Sequence, residues 1–296
     1  MRTMAFRRLL WAVGFAAVLA LSGFAPTARA QIWDSIQRHA DKVQEKAKKV
    51  QEATRPMTVE EEQKVGQEVA AKVIAFYKLY ANETLTRYVN LVGETAAAQA
   101  ERQDIRYHFA LLDSDAINAF SAPGGYVFIT RGAVALCEDE SELAGVLAHE
   151  VGHVAGKHVV HIVERDKMLR AGMDEASAYT PGSAYLQKMS KGILKKLIDQ
   201  GLAPGDEFDA DNRGTQYAHA AGYPADGLER FLTKLDQATN QGAASFWQRT
   251  HPPVSDRNTR LQQFISGQHW EDADRPKLPD RFAAATAMLP KPKAGM

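Results

Sequence analysis

The chain has 296 residues, 45% of them hydrophobic and 24% charged, which excludes a disordered or fibrous chain and indicates a globular one. Lysine plus arginine number 36, as do aspartate plus glutamate, so no excess of positive charge argues for nucleic acid as a partner. The lone cysteine, Cys137, has no partner for an internal disulfide, so the fold must rest on its core.

Residues 1–30 have the pattern of an export leader. Arg2, Arg7 and Arg8 precede an apolar run from Leu9 to Leu21, and Ala28-Arg29-Ala30 forms a small-residue cleavage site. The run is shorter than the about 20 residues that a membrane helix needs. A cleaved signal and a periplasmic location are expected, with retention as an anchor the alternative. Cleavage would leave 32 basic against 36 acidic side chains. Residues 31–56 mix Lys, Glu, Gln and Ala and read as a charged, solvated leading helix. Its functional counterpart would be contact with a membrane surface or an outer-membrane protein.

Thr58 and Glu61 form a capping box, after which Val65, Val69, Val73, Phe76, Tyr77 and Tyr80 recur at helical spacing. Ile105, Tyr107, Phe109 and Leu111 alternate as in a strand. Residues 121–125, Ser-Ala-Pro-Gly-Gly, read as a turn, and residues 126–130 as a second strand. Cys137, following an apolar run with no base near it in sequence, reads as a packing residue.

Asp139 or Ser141 can cap the next helix, which carries the stretch AHEVGHVAGKHVVH. Leu143, Val146, Leu147, Val151, Val154 and Ala155 make this helix strongly apolar, so it belongs in the interior. His149 and His153 lie one turn apart on one face, where their ring nitrogens can converge on one zinc at about 2.0–2.1 Å. Glu150 is rotated about 100° from His149 and flanks such an ion. That position suits a general base acting on a water that the metal has made acidic. Buried histidines and a buried glutamate are costly unless they are paired or bind metal.

Zinc of this kind needs a third protein ligand. Gly156 stands where one class of zinc protease turns its chain back to deliver a histidine, but the position concerned is Val159. Were the helix to run on past Gly156, His158 and His161 would both point away from the ion. They are grouped with His39, His108, His219 and His269 as surface or structural residues. Carboxylates are the alternative: GDEFDADNRG, residues 205–214, offers Glu207 and Asp211 four apart on one helical face. One can bind the metal while the other accepts a hydrogen bond from a ligand histidine. Asp206 reads as an N-terminal helix charge and Asp209 as a solvent-facing acid.

Residues 165–198, with glycines at 172, 182 and 192, read as a mobile segment with short helices, a lid over the cleft or a variable loop. A helix is expected from about Asp206 to Ala221, stopped by Gly222 and Pro224, and another around Leu228, Phe231, Leu232 and Leu235. The stretch 271–296 is expected to be loosely ordered.

AHEVGH followed by EFDAD, with INAFSAPGGYVFITRGAV and ESELAGVLAHE upstream and HAAGYPADG and HPPVSDR downstream, resembles the HtpX and CAAX prenyl endopeptidase family of gluzincin metallopeptidases. Within that family it resembles the bacterial periplasmic branch typified by BepA and LoiP, without a helical-repeat domain. The likeness implies an α+β, mainly helical, zincin-like metallopeptidase with a small β-sheet beside the HExxH helix, spanning residues 57–270. It implies one zinc per chain on His149, His153 and Glu207, with Glu150 as catalytic base.

His251 and Arg257 match the family's H-P-x-x-x-x-R stretch. His251 would face the developing oxyanion or block the resting site. Asp211 and Arg257 would support the ligands, or Arg257 would simply pair with Asp211. Gly125, Tyr126, Val127 and Phe128 would form an edge strand for substrate, the alternative being an interior strand. The implied activity is cleavage of misfolded or unassembled envelope proteins, with unfolded or extended polypeptides as substrates. The alternative is a chaperone-like binder or assembly factor with latent proteolysis.

Overall fold

The computed structural model describes residues 26–171, 184–240, 251–270 and 274–290. The first 25 residues of the expected leader therefore lie outside the described residues. The chain divides into two compact units, residues 1–55 with 170–176, and residues 56–169 with 177–296.

The described part of the first unit is dominated by one helix, α1 (Pro26–Thr54). Its charges pair along the surface, as in the Arg38–Asp34 pair at 3.0 Å, and its apolar side chains Trp33, Ile36, Val43 and Val50 are exposed. Such pairs add only a few tenths of a kcal/mol each, roughly 0.3–0.5. Among the described residues no helix is long and apolar enough to cross a membrane.

The second unit is α+β and mainly helical. Helix α2 (Val59–Tyr77) starts at the Thr58 capping box, in which Thr58 accepts from the Glu61 backbone and Glu61 accepts from the Thr58 backbone. Helix α3 (Glu83–Ala97) is capped by the Asn82 side chain. Three strands follow, β1 (His108–Leu112), β2 (Ala119–Ala122) and β3 (Tyr126–Thr130). The sheet order is β1-β3-β2, with β1 parallel and β2 antiparallel to β3.

Two expectations are corrected here. Ser121 and Ala122 end a strand instead of opening a turn; the turn itself is Pro123–Gly125, where Gly124 and Gly125 take φ of 77° and 89°. Both angles are costly for any residue with a Cβ. Residues 126–130 are not the sheet edge, because β3 is flanked on both sides. The outer edge of β1 is partly covered by the bridge from Leu79 to Leu112, whereas β2 has no second strand partner among the described residues.

The period-2 alternation of the strands divides the core in two. Phe109, Leu111, Val127, Ile129 and Ala119 join the larger cluster with α3 and α5 (Glu140–Ala155), while Leu112, Phe120, Ala122 and Phe128 join a second cluster. That second cluster includes α2, α6 (His158–Ala171) and α7 (Ala184–Asp199). The sheet is thus a layer between two helical layers. A buried ion pair ties its turn down: Glu62 accepts two hydrogen bonds from Arg102, at 2.9 and 2.5 Å, and one from the Gly124 backbone at 2.8 Å.

Helix α4 (Arg131–Leu136) leads to α5, which Asp139 caps through the Glu142 backbone. Every residue of α5 from Glu140 to Val154 is buried. Helix α8 (Pro204–Ala220) presses against it so closely that a Cβ on Gly214 would stand 2.6 Å from the His149 backbone. One on Gly152 would stand 2.9 Å from the Ala210 carbonyl oxygen. These two glycines let α8 carry its carboxylates up to the α5 histidines. Helices α9 (Gly227–Asn240) and α10 (Val254–Gln268) complete the second unit's main bundle.

The expected mobile segment contains α7 and the end of α6, with residues 172–183 outside the described residues. The tail also differs from expectation, since α11 (Pro279–Thr286) buries Phe282 near Tyr88, and Arg281 bonds to Glu140. Leu278 and Leu289 also pack against the larger core cluster.

Candidate metal centre

His149 and His153 stand on successive turns of α5 with their Nε2 atoms 3.0 Å apart. Glu207, on the first turn of α8, brings its carboxylate to 3.7 Å from His149 Nε2 and 3.6 Å from His153 Nε2. One ligand atom from each residue lies within 4.8 Å of the other two, and all three residues are buried.

The residues fit a divalent cation on several grounds. Glu207 Oε2 is buried without a hydrogen-bond partner, an expensive condition that a cation relieves. Burial pushes the Glu207 carboxyl well above its usual range, against the pull of Arg257. Burial also lowers His149, and lowers His153 further with the help of its neighbouring histidines, so both rings are neutral and offer lone pairs. Two imidazole nitrogens and a carboxylate oxygen are a donor set suited to zinc.

Behind the donors stands a buried support. His149 Nδ1 lies 2.9 Å from Asp211 Oδ1, and Arg257 grips Asp211 through Nη2 at 2.5 Å and Nε at 2.9 Å. Arg257 is fully buried, and it draws the Asp211 carboxyl far below its usual range despite burial. Arg257 Nη1 also lies 3.8 Å from Glu207 Oε2. Glu150 sits on the same helix one step from His149. Burial pushes its carboxyl up to about 8, against a hydrogen bond from Ser121 and the positive charge of Arg257.

His251 lies just ahead of α10, with Nε2 3.7 Å from Glu207 Oε2. A small cavity of about 20 Å³, room for about one water, is lined by β2 residues Ala119, Phe120 and Ser121 together with Glu150, His153 and His251. Leu197, Gly201 and Leu202 close it from the side of α7.

The structure therefore brings His149, Glu150, His153, Glu207, Asp211, His251 and Arg257 together. It does not bring Gly125, Tyr126, Val127 and Phe128 to the cavity: Phe128 packs on Phe120, Tyr126 stacks on His108, and β2 is the strand that borders the site.

His158 and Asp209 stand nearer the centre than spacing alone indicates: His158 is a buried structural residue, and Asp209 stays partly solvent-facing. His158 is buried, with Nδ1 2.8 Å from His153 Nδ1, and its Nε2 lies 3.1 Å from Asp209 Oδ2. The straight helix assumed for it does not exist, because α5 ends at Gly156, Lys157 takes a left-handed φ of 56°, and α6 starts afresh at His158. Asp209 is half-exposed and also accepts from Arg213 Nε at 2.5 Å. His161 is exposed, and Asp206 lies in the first turn of α8. Ser121 went unread because its segment looked like a turn.

Residues 83–265 match Peptidase family M48. The chain is similar to the beta-barrel assembly-enhancing protease of Yersinia pestis, 29% identical over 221 residues that cover 70% of this chain and 45% of that protein. It is 27% identical to the beta-barrel assembly-enhancing protease of Escherichia coli K12, over 72% of this chain and 45% of that protein. The mitochondrial metalloendopeptidase OMA1 of Schizosaccharomyces pombe is 24% identical over 69% of this chain and 61% of its own length. The chain thus spans less than half the length of the first two relatives.

Proposed function

The chain belongs to peptidase family M48, and on that premise we propose that residues 57–270 form a zinc-dependent endopeptidase that cleaves misfolded or unassembled envelope proteins in the periplasm. His149, His153 and Glu207 hold the metal, and the observation that carries this reading is their convergence beside Glu150 on the buried face of α5. A bound zinc supplies Lewis-acid polarisation of the scissile carbonyl and of the attacking water. The Glu150 carboxylate takes the proton of that water and returns it to the leaving nitrogen. Its raised proton affinity, with burial as the cause, suits it to hold the proton between those two steps.

Asp211 accepts the Nδ1 proton of His149 and keeps its Nε2 lone pair on the metal side, and Arg257 keeps Asp211 ionised. His251 stands where it can donate to the developing oxyanion. The substrate enters as an extended strand on the outer edge of β2, which replaces the β3 residues in this role. Pairing through the backbone favours unfolded segments over any one sequence. Residues 1–30 serve as the export leader, consistent with relatives named for assembly of β-barrels.

A second reading draws on the small volume of the cavity. The protein would then bind extended chains as an assembly factor, with proteolysis latent until α7 and His251 move. Cleavage of casein or a denatured protein separates the two. Wild-type protein with zinc is expected to cleave, a chelator to stop it, and Glu150→Gln to lose about 10²–10⁴-fold in rate while still binding zinc. Inert wild type and variant that both still hold unfolded chains would select the binding reading.

A further inference from the structure

The two imidazoles of the centre are backed in different ways. Asp211 takes the Nδ1 side of His149 directly. The Nδ1 of His153 faces another imidazole nitrogen instead, Nδ1 of His158, at 2.8 Å. The far nitrogen of His158 then reaches Asp209 Oδ2 at 3.1 Å.

Proton counting leaves one arrangement. Two ring nitrogens at hydrogen-bonding distance need one proton between them, so one donates and the other accepts. His153 Nε2 faces His149 Nε2 and Glu207, and must keep its lone pair to bind a metal. Neutral His153 therefore carries its proton on Nδ1, and His158 Nδ1 accepts it. Neutral His158 in turn carries its own proton on Nε2, which donates to Asp209.

We infer that His158, oriented by Asp209, is a positioning residue that fixes the tautomer of His153 and aims its Nε2 at the metal. The inference rests on the ligand set proposed above and adds a residue to it.

The local fold is shaped around this contact. The left-handed Lys157 breaks the helix between α5 and α6, and the His161 backbone N–H donates to the Lys157 carbonyl at 2.9 Å to start the new helix. The turn swings the His158 ring back under His153. A Cβ on Gly156 would stand 2.5 Å from His158 Nε2, so the glycine leaves room for that ring. Asp209 is held in its turn by Arg213.

The test is zinc affinity of the full chain, measured with zinc alone by competition against a chromophoric chelator. Melting of the metal-free variants serves as the folding control. His158→Leu keeps bulk and removes the acceptor, and is expected to weaken zinc binding about 10–100-fold, the usual effect of losing such a partner. His158→Asn sets an amide oxygen close to the place of Nδ1 and is expected to recover most of the loss. A purely structural role for His158 would not be rescued by that oxygen.

His149→Ala is the reference. If it leaves zinc affinity unchanged, the ligand set is wrong and the role of His158 falls with it. If it weakens zinc while His158→Leu binds as tightly as wild type, or if asparagine is no better than leucine, the ligand set stands and the positioning role is overturned. Should the leucine variant fail to fold, His158→Asn is compared with His158→Gln, whose oxygen reaches the Nε2 position instead. Tighter binding by asparagine supports the role, and equal binding overturns it. None of these results depends on peptide cleavage, so a negative casein assay is a separate outcome.

Discussion

The two histidines of the metal centre come from one helix, a turn apart, yet the groups behind them have opposite character. Behind His149 stands a dry arm, in which fully buried Arg257 grips buried Asp211. Behind His153 stands a wet one, in which His158 passes to Asp209, whose side chain is 43% exposed, and on to Arg213 at the surface. The dry arm joins α5, α8 and α10 and so is part of the fold. The wet arm joins the α5–α6 turn to α8 and bears on the orientation of one ring. The same chemistry, an acceptor for an Nδ1 proton, is thus backed by a fully buried ion pair on one side and by a partly exposed one on the other.

Breaking the dry arm should have the largest effect on folding. Arg257→Met strands the Asp211 carboxylate in the interior, and removing one partner of a buried pair costs about 3–5 kcal/mol, to be read as a lower unfolding midpoint in denaturant. A midpoint equal to that of wild type would show that the arm is not structural. On the wet side, Arg213→Met should cost no more than about 1 kcal/mol, as exposed ion pairs do. A large loss there would erase the distinction.

Metal binding sharpens the comparison from the other direction. Asp211→Asn is expected to weaken zinc about 10–100-fold, and Asp209→Asn less, because solvent can replace an exposed acceptor and cannot reach a buried one. Chelator competition gives both values, and the reverse order would contradict the assignment of the arms.

The N-terminal end of α5 provides a control far from the metal. There Glu140 is buried, which raises its pKa, but hydrogen bonds from Arg281, Tyr88 and Tyr223 outweigh burial and hold it below its ordinary value. A carboxylate whose folded pKa lies below its unfolded one contributes stability that is present above the unfolded pKa, about 4.3 for glutamate, and is lost as pH falls through the folded value. Arg281→Met should therefore reduce stability at neutral pH and flatten its decline in acid, with zinc affinity unchanged. Acid unfolding curves of the two proteins would show this.

The faces that carry the donors were legible in the sequence because regular helices turn spacing into direction, while the choice of Glu207 over Asp211 as ligand came from the family resemblance. His149 and His153 four apart, and Glu207 and Asp211 four apart, each define one face, and the two faces meet. What was not legible depends on where helices stop and how strands order. The contact of His158 with His153 was not legible because spacing was extrapolated through Gly156, where the backbone turns at Lys157. β2 was hidden because Ser121 and Ala122 sit beside Pro123-Gly124-Gly125, and four residues are too few for a pattern to stand out from the turn. The position of β3 within the sheet is set by pairing with distant segments, which local alternation does not encode. Likewise Phe282, Leu278 and Leu289 dock residues 278–289 on the core although the composition there argued for looseness.

The most direct test of the central claim is an anomalous-scattering map, recorded at the zinc absorption edge, of crystals of the zinc-loaded protein. The account expects one strong peak per chain, bonded to Nε2 of His149, Nε2 of His153 and the carboxylate of Glu207, with His158 beside His153 and off the metal. A peak bonded to His158 in place of Glu207, or no peak between α5 and α8, would contradict it.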